Sequence, residues 1–189
     1  MEYFDIRNKD GSLTGEVKER TLVHRDGDIH GTSHVWIVRL DENGHCDLLL
    51  QKRSANKDAF PGCYDISSAG HLPAGQDYLP SAVRELEEEL GIYAKEDDMI
   101  FLGIHEGYSE EIFYDEPFRN HEISHVYLYK NPVDISALRL QAEEVESVKW
   151  MDFFQCYEEV RKGNPKYCLF TEELDMIKEY LGIESSSLN

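Results

Sequence analysis

Residues 70–92 have the sequence GHLPAGQDYLPSAVRELEEELGI, in which a loop that begins at Gly70 leads into a segment rich in glutamate. At ~100° per residue, a helix through this segment places Glu85, Glu88 and Glu89 on one face, while Glu87 lies outside that set. The apolar residues at positions 82, 83, 86 and 90 lie roughly opposite. The segment therefore predicts a helix with a packed face and a carboxylate face, ending at Gly91.

The carboxylate face predicts a site for divalent cations. Mg²⁺ and Mn²⁺ prefer oxygen ligands such as carboxylate, carbonyl and water. A run of glutamates is also often just a solvated surface, in which case Arg84 and Glu88 form an ordinary i,i+4 ion pair worth ~0.3–0.5 kcal/mol. Both interpretations are open when the glutamates are taken alone.

The spacing of residues 70–92 resembles the Nudix box, which is Gly, five residues, Glu, seven residues, Arg-Glu, an aliphatic, any residue, Glu-Glu, any residue, Gly and an aliphatic. One position departs from it, because Gln76 stands where the family has its first Glu. A neutral amide cannot balance metal charge, although its oxygen can still coordinate or accept a hydrogen bond. The resemblance implies an α/β protein with the Nudix-type α/β/α sandwich, a mixed sheet, an N-terminal β extension and C-terminal helices.

The same resemblance implies roles for individual residues. Glu85, Glu88 and Glu89 would hold Mg²⁺ or Mn²⁺ together with the backbone carbonyl of Ala69. Arg84 would orient a glutamate of this set through a charge-assisted pair.

A second resemblance, to isopentenyl diphosphate isomerases of the same superfamily, extends beyond the box. It rests on His24, His30, Trp36, Arg53, Lys57, Pro61-Gly62, Gly70-His71 and Glu122. It implies that three histidines and a glutamate, His24, His30, His71 and Glu122, are a remnant metal set, although histidines in loops are more often solvated or hydrogen-bonded. The isomerases have a catalytic cysteine where this chain has Ala69, and a glutamate where it has Asn120. The chain is therefore placed among isomerase-like Nudix hydrolases.

Three further side chains are candidates for the reaction itself. Arg53, with a planar fork, and Lys57, with a point charge, are candidates to bind substrate phosphate, or else they are solvated residues at a strand end. Glu122 is a candidate for an additional metal ligand or a general base.

The composition limits which partners and which compartment are expected for this protein. The 189 residues contain 38 Asp and Glu against 19 Lys and Arg, for a net charge of -19. Nucleic acid polymers and anionic membranes both require basic surface, so neither is an expected partner. The four cysteines form no C-x-x-C pair, no signal peptide is visible, and no apolar run could span a bilayer. A cytoplasmic protein with reduced thiols is expected, and a homodimer remains open.

One domain of ordinary size is expected from the length. It divides into an N-terminal β extension at 1–30, a Nudix hydrolase domain at 31–162, and a C-terminal helix and tail at 163–189. Residues 3–6 and a stretch through 21–23 predict an N-terminal hairpin, and 35–38 with 48–51 predict a second. Further strands are expected at 100–104, 126–129 and 145–150, a substrate-side loop at 106–121, and helices at 152–162 and 171–182.

The function that these features predict is metal-dependent hydrolysis of a diphosphate linked to another moiety, such as a nucleoside diphosphate derivative. Water would attack phosphorus, and the substrate would be a small molecule. Two alternatives remain. One is isomerase-like activity, which Ala69 disfavours because it lacks a thiol. The other is a Nudix-like module that binds a nucleotide without turnover, for which Gln76 is the supporting feature.

Overall fold

The computed structural model describes residues 2–57, 59–113 and 116–183. The strands are β1 (Tyr3–Arg7), β2 (Leu13–Glu19), β3 (Ile29–Leu40), β4 (Cys46–Arg53), β5 (Tyr64–Asp65), β6 (Ser68–His71), β7 (Met99–Phe113), β8 (Glu116–Tyr129) and β9 (Val145–Asp152). The helices are α1 (Arg20–Asp26), α2 (Tyr78–Leu90), α3 (Phe153–Arg161) and α4 (Thr171–Leu181), with short 3₁₀ turns at Glu96–Asp98 and Ile135–Ala137. In these residues no helix is long and apolar enough to cross a membrane.

A mixed seven-stranded sheet organises the protein. Its order is β5-β4-β3-β8-β7, with β6 paired to β3 and β9 paired to β4, while β1 and β2 form a separate hairpin. Among the named strands of the described residues, β3 and β8 pair in parallel and the other pairs in this sheet are antiparallel. The predicted hairpin of residues 35–38 and 48–51 is confirmed, since Ile37 lies opposite Leu49.

Two helical layers cover the two faces of the sheet. Side chains alternate along a strand, so Val35 and Ile37 of β3 face α2, while Trp36 and Val38 face α3 and α4. Both faces are therefore apolar at the centre, which is why residues 35–38 of β3 form an unbroken apolar run. The predicted α/β sandwich with a mixed sheet and C-terminal helices is confirmed.

The glutamate helix lies where the sequence places it. Leu86 and Leu90 are fully buried against the sheet. Gly91 has a left-handed conformation with φ of 70°, and its N–H donates to the Glu87 carbonyl. A side chain there would be strained, which explains why the helix ends at this glycine.

Two predicted elements were wrong. Residues 20–26, expected to be extended through Val23, form α1, because the helix buries Val23 against Phe4 and Ile6 of β1. The expected loop at 106–121 is instead an antiparallel continuation of β7 and β8, apart from residues 114 and 115, which lie outside the described residues. Its exposed face carries charged and tyrosine side chains, which hid the strand alternation.

Candidate active site

Three glutamates of α2 differ in their environment. The Glu85 side chain is 13% exposed, and Glu88 is 51% exposed. Glu89 is buried. Burial raises the pKa of Glu85, and it raises the pKa of Glu89 to about 8, where the neighbouring Glu85 adds to the effect. Glu89 and the largely buried Glu85 thus lie one helical turn apart in an environment that disfavours their charged forms.

The strand β6 provides the surface against which these carboxylates lie. A Cβ built on Gly70 would lie 2.1 Å from Glu85 Cδ, so the absence of a side chain at Gly70 makes room for this carboxylate. The Ala69 N–H donates to Glu89 Oε2 at 3.2 Å. In an antiparallel strand the N–H and C=O of one residue point to the same side, so the Ala69 carbonyl also points away from β3, toward the free edge of β6.

Arg84 joins the exposed and buried glutamates. Its Nη1 donates to Glu88 Oε2 at 2.7 Å, and its Nη2 lies 2.7 Å from Glu85 Oε1. One guanidinium thus orients two carboxylates, a geometry that an ammonium on a flexible stem would not reproduce. The structure brings together Ala69, Arg84, Glu85, Glu88 and Glu89 at the free edge of β6.

A second cluster lies on the other side of β6. His24 of α1, His30 of β3 and His71 of β6 place ring nitrogens within 4.8 Å of one another. Glu122 Oε1 of β8 lies 3.4 Å from His71 Nε2 and 3.9 Å from His30 Nε2. The Nε2 atoms of the three histidines are buried without a hydrogen-bond partner among the described residues. This cluster matches the four residues that the sequence suggested as a metal set.

Burial keeps the imidazoles of this cluster neutral. It lowers the pKa of His24 to about 4 and that of His71 to about 3. Phe4 of the N-terminal hairpin stacks on His71 and His30, with ring centroids 4.8 Å and 5.2 Å apart. Neutral imidazole nitrogens with free lone pairs are the form that binds metal ions.

Side-chain alternation along β6 separates the two clusters. Gly70 and Ser68 lie opposite Ser33 and Val35, on the face toward α2, whereas His71 and Ala69 project to the opposite face. Glu122 therefore lies beside the histidines and not beside the glutamates of α2.

The two basic residues proposed for phosphate have partners within the protein. Arg53 Nη1 lies 2.7 Å from Asp65 Oδ2, and its Nε donates to the Ala59 carbonyl at 3.0 Å. Lys57 forms an ion pair with Glu144. Gln76, the position that departs from the box, is exposed in the loop before α2.

Sequence reasoning missed a buried polar network beneath the sheet. Glu173 of α4 accepts hydrogen bonds from His34 Nδ1 at 2.8 Å and from Trp36 Nε1 at 2.7 Å. Burial lowers the pKa of His34, but the Glu173 carboxylate outweighs burial and raises it to about 9. The alternation of His30, His34 and Trp36 along β3 was a usable signal, whereas nothing in the sequence of α4 distinguishes Glu173 from its exposed neighbour Glu172.

Comparison with known proteins identifies the family of this chain. A family model described as the NUDIX domain matches residues 31–169. Nudix hydrolase 3 of Arabidopsis thaliana is 43% identical over 171 residues, which cover 88% of this chain and 21% of that protein. A Nudix hydrolase of Clostridium acetobutylicum is 39% identical over 144 residues, which cover 76% of this chain and 66% of that protein. The chain thus spans less than two thirds of the length of either relative.

A solved structure shows the same fold. The crystal structure of DR0079 from Deinococcus radiodurans superposes with a TM-score of 0.65 at 16% identity, covering 92% of this chain and 98% of that one. At this identity the similarity bears on the fold alone, and the family model carries the assignment. This chain belongs to the Nudix hydrolase family.

Proposed function

We propose that this chain is a cytoplasmic enzyme that hydrolyses a diphosphate linked to another moiety, by attack of water on phosphorus, with Mg²⁺ or Mn²⁺ as its cofactor. The observation that carries the proposal is the buried Glu89 and the largely buried Glu85 beside the outward-facing carbonyl of Ala69. The free thiols of all four cysteines fit a reducing compartment.

The residues present fit a divalent cation. The proposed ligands are oxygen atoms of Glu85, Glu88, Glu89 and Ala69, which is the donor set that Mg²⁺ and Mn²⁺ prefer. Burial and the neighbouring Glu85 raise the pKa of Glu89, and a bound cation would favour its charged form. When bound, a divalent cation supplies neutralisation of the phosphate oxygens and activation of the attacking water.

The side chains of the protein have distinct roles in this proposal. Arg84 holds Glu85 and Glu88 in place, so both carboxylates keep one orientation. Glu122, which lies beside His71, serves as an additional metal ligand at the histidine cluster or as a general base. Within the described part of the chain the hydrogen bonds of Arg53 use Nε and Nη1, which leaves Nη2 for a substrate phosphate. Lys57 reaches phosphate only by releasing Glu144.

The histidine cluster supports placing the chain in the isomerase-like branch and supports a second candidate activity, isoprenoid diphosphate isomerisation. A metal held by His24, His30, His71 and Glu122 fits their unpartnered nitrogens. Ala69 opposes isomerisation, because a methyl group cannot transfer a proton at carbon. With isopentenyl diphosphate we expect release of a phosphate group and no allylic isomer, as followed by phosphorus and proton NMR. Isomer formation without phosphate release would favour the second candidate.

The decisive experiment is a phosphate-release screen over nucleoside diphosphate derivatives, dinucleotides and prenyl diphosphates, with Mg²⁺ and with Mn²⁺. Glu88→Gln should remain folded, because Glu88 is half exposed, and should lower turnover of the best substrate by on the order of 10²-fold. Glu87→Gln on the same helix is the matched control and should keep full activity. Equal activity of both variants would refute the assigned site, and substrate binding without turnover would indicate a binding module.

A further inference from the structure

A buried ion pair lies where the first turn of α4 meets β3. The Glu173 side chain is fully buried and is hydrogen-bonded to His34 Nδ1 and Trp36 Nε1. A buried carboxylate requires a countercharge. Of the described residues, His34 is the basic group that forms an ion pair with Glu173. Its imidazole therefore carries a proton on both nitrogens, and Nε2 is a charged hydrogen-bond donor.

Stability does not explain this pair. Removing two charges from water costs about as much free energy as their attraction returns, and apolar replacements of similar volume are often as stable. The pair also lies partly outside the family match, since Glu173 follows residue 169. A role in positioning His34 accounts for it better.

The position of His34 next to Ala69 indicates what it contacts. His34 lies opposite Ala69 in the β3–β6 pairing. The Ala69 N–H points to Glu89, so this is a pair without mutual hydrogen bonds, in which the two side chains approach most closely. The His34 side chain is 7% exposed, and the neighbouring Ala69 places only a methyl group beside it. In residues 2–57, 59–113 and 116–183, no hydrogen bond from His34 Nε2 is found.

A polyanionic substrate needs a cationic hydrogen-bond donor near Ala69, and His34 Nε2 is one. The surroundings are acidic, with Glu85, Glu89 and Glu122 on the two sides of β6. Of the two basic residues proposed for phosphate, Arg53 has only Nη2 outside its bonds to Asp65 and Ala59, and Lys57 is paired with Glu144. Glu173 binds His34 through Nδ1, which leaves Nε2 for a ligand.

We infer that His34 binds a phosphate oxygen of the diphosphate substrate through Nε2, and that Glu173 is a positioning residue that orients and charges His34. The inference rests on the proposed function, because Ala69 connects His34 to the proposed metal site. It adds to that function a phosphate contact on the α4 face of the sheet, supplied from a helix beyond the matched domain.

The test measures binding of methylenediphosphonate, a diphosphate analogue that is not hydrolysed, in the presence of Mg²⁺ by isothermal titration calorimetry. His34→Gln and Glu173→Gln should each weaken its binding at least about tenfold, the ~1.4 kcal/mol of a charge-assisted hydrogen bond. Trp36→Phe is the matched control, because it deletes the other hydrogen bond to Glu173 and leaves His34 in place. It should change the affinity less than about twofold. Affinity equal to wild type in His34→Gln would overturn the inference.

A second readout distinguishes contact from a merely structural role. In protein labelled with ¹⁵N at histidine, the His34 Nε2 signal of the wild type should shift on addition of methylenediphosphonate with Mg²⁺, and should not shift with Mg²⁺ alone. The measurement itself uses the wild type. One folded His34 variant is enough to assign the signal. A signal that does not move while the analogue binds would equally overturn the inference.

Different results would refute the proposed metal site and the proposed role of His34. Mn²⁺ affinity should be unchanged in Glu173→Gln and reduced in Glu88→Gln, as followed by electron paramagnetic resonance. If Glu88→Gln retains Mn²⁺ affinity, the proposed metal site fails. If it loses affinity while His34→Gln and Glu173→Gln bind the analogue normally, the proposed function stands and the role of His34 is refuted. Absence of analogue binding to the wild type would count against both.

Discussion

Replacement of Gly70 by alanine should separate the active site from the fold. The backbone of Gly70 is not in the left-handed region, so a Cβ is compatible with its conformation. That Cβ would lie 2.1 Å from Glu85 Cδ and 2.3 Å from its Oε1. Carbon atoms in contact are about 3.5 Å apart, so the Glu85 carboxylate must move by about 1.4 Å.

The atoms that move determine how much Gly70→Ala changes stability and how much it changes activity. The atoms displaced belong to the end of a flexible side chain, so the free energy of unfolding should change by no more than about 1 kcal/mol, a shift of roughly 2–4 °C in Tm. A displacement of about 1 Å at a catalytic group can lower the rate on the order of 10²-fold. We therefore expect kcat/KM to fall by that factor and Mn²⁺ affinity to fall with it.

The measurements are Tm by calorimetry, Mn²⁺ affinity by electron paramagnetic resonance, and kcat/KM on the best substrate. Gly103→Ala in β7 is the matched control, because its Cβ would lie 3.3 Å from the flexible Met176 Sδ, away from the glutamates. It should preserve all three quantities. Wild-type metal affinity and kcat/KM in Gly70→Ala would refute the assignment of Glu85 as a ligand.

Three further predictions concern pH, the departing box position and the second cluster. Burial raises the pKa of Glu89 in the folded, metal-free protein from its ordinary 4.5 to about 8. Between these pH values the unfolded state binds fewer protons than the folded state, so this group lowers the stability of the wild type as pH rises. Glu89→Gln in chelator should thus gain stability relative to wild type by ~1.4 kcal/mol per pH unit across that window, and a pH-independent difference in chemical denaturation would contradict it. Gln76→Glu should leave Mg²⁺ affinity within about fivefold, because the side chain is exposed and a helix-terminal charge contributes at most about 1 kcal/mol. A gain of more than about tenfold in a metal titration would show that the amide weakens the site. Wild type should bind one more Mn²⁺ per chain than His30→Gln in equilibrium dialysis, and equal stoichiometry would exclude a metal at the histidine cluster.

Local patterns were sufficient for the glutamate helix and much of the sheet. The 3.6-residue period separates Leu86 from Glu85 and Glu89, and Gly91 marks the helix end without reference to the rest of the chain. The strands around Ile37 and Leu49 are apolar and flank an Asp-Glu-Asn-Gly turn, so their hairpin was also predictable. These features depend on interactions between residues close in sequence, which is why they can be predicted from the sequence alone.

Errors arose where tertiary contacts outweigh local preference. Residues 21–23 look extended, yet they are helical because the turn of α1 buries Val23 on Phe4. The ribbon beyond Gly107 looks like a loop, yet pairing along β8 stabilises it as a strand. A short apolar run and a charged exposed face carry little periodic signal, so neither outcome follows from local pattern.

The Nudix box, its helix face and the acidic charge of the chain are properties of the sequence, because each is set by residue type and spacing. Which groups meet across the sheet is a property of the folded protein. Glu173 reaches His34 across 139 positions of sequence, and the histidine cluster joins α1, β3 and β6. The box also does not reveal that Gly70 and Ala69 turn opposite faces of β6 toward two different clusters. That arrangement depends on strand register, because a slip of one residue would exchange the two faces.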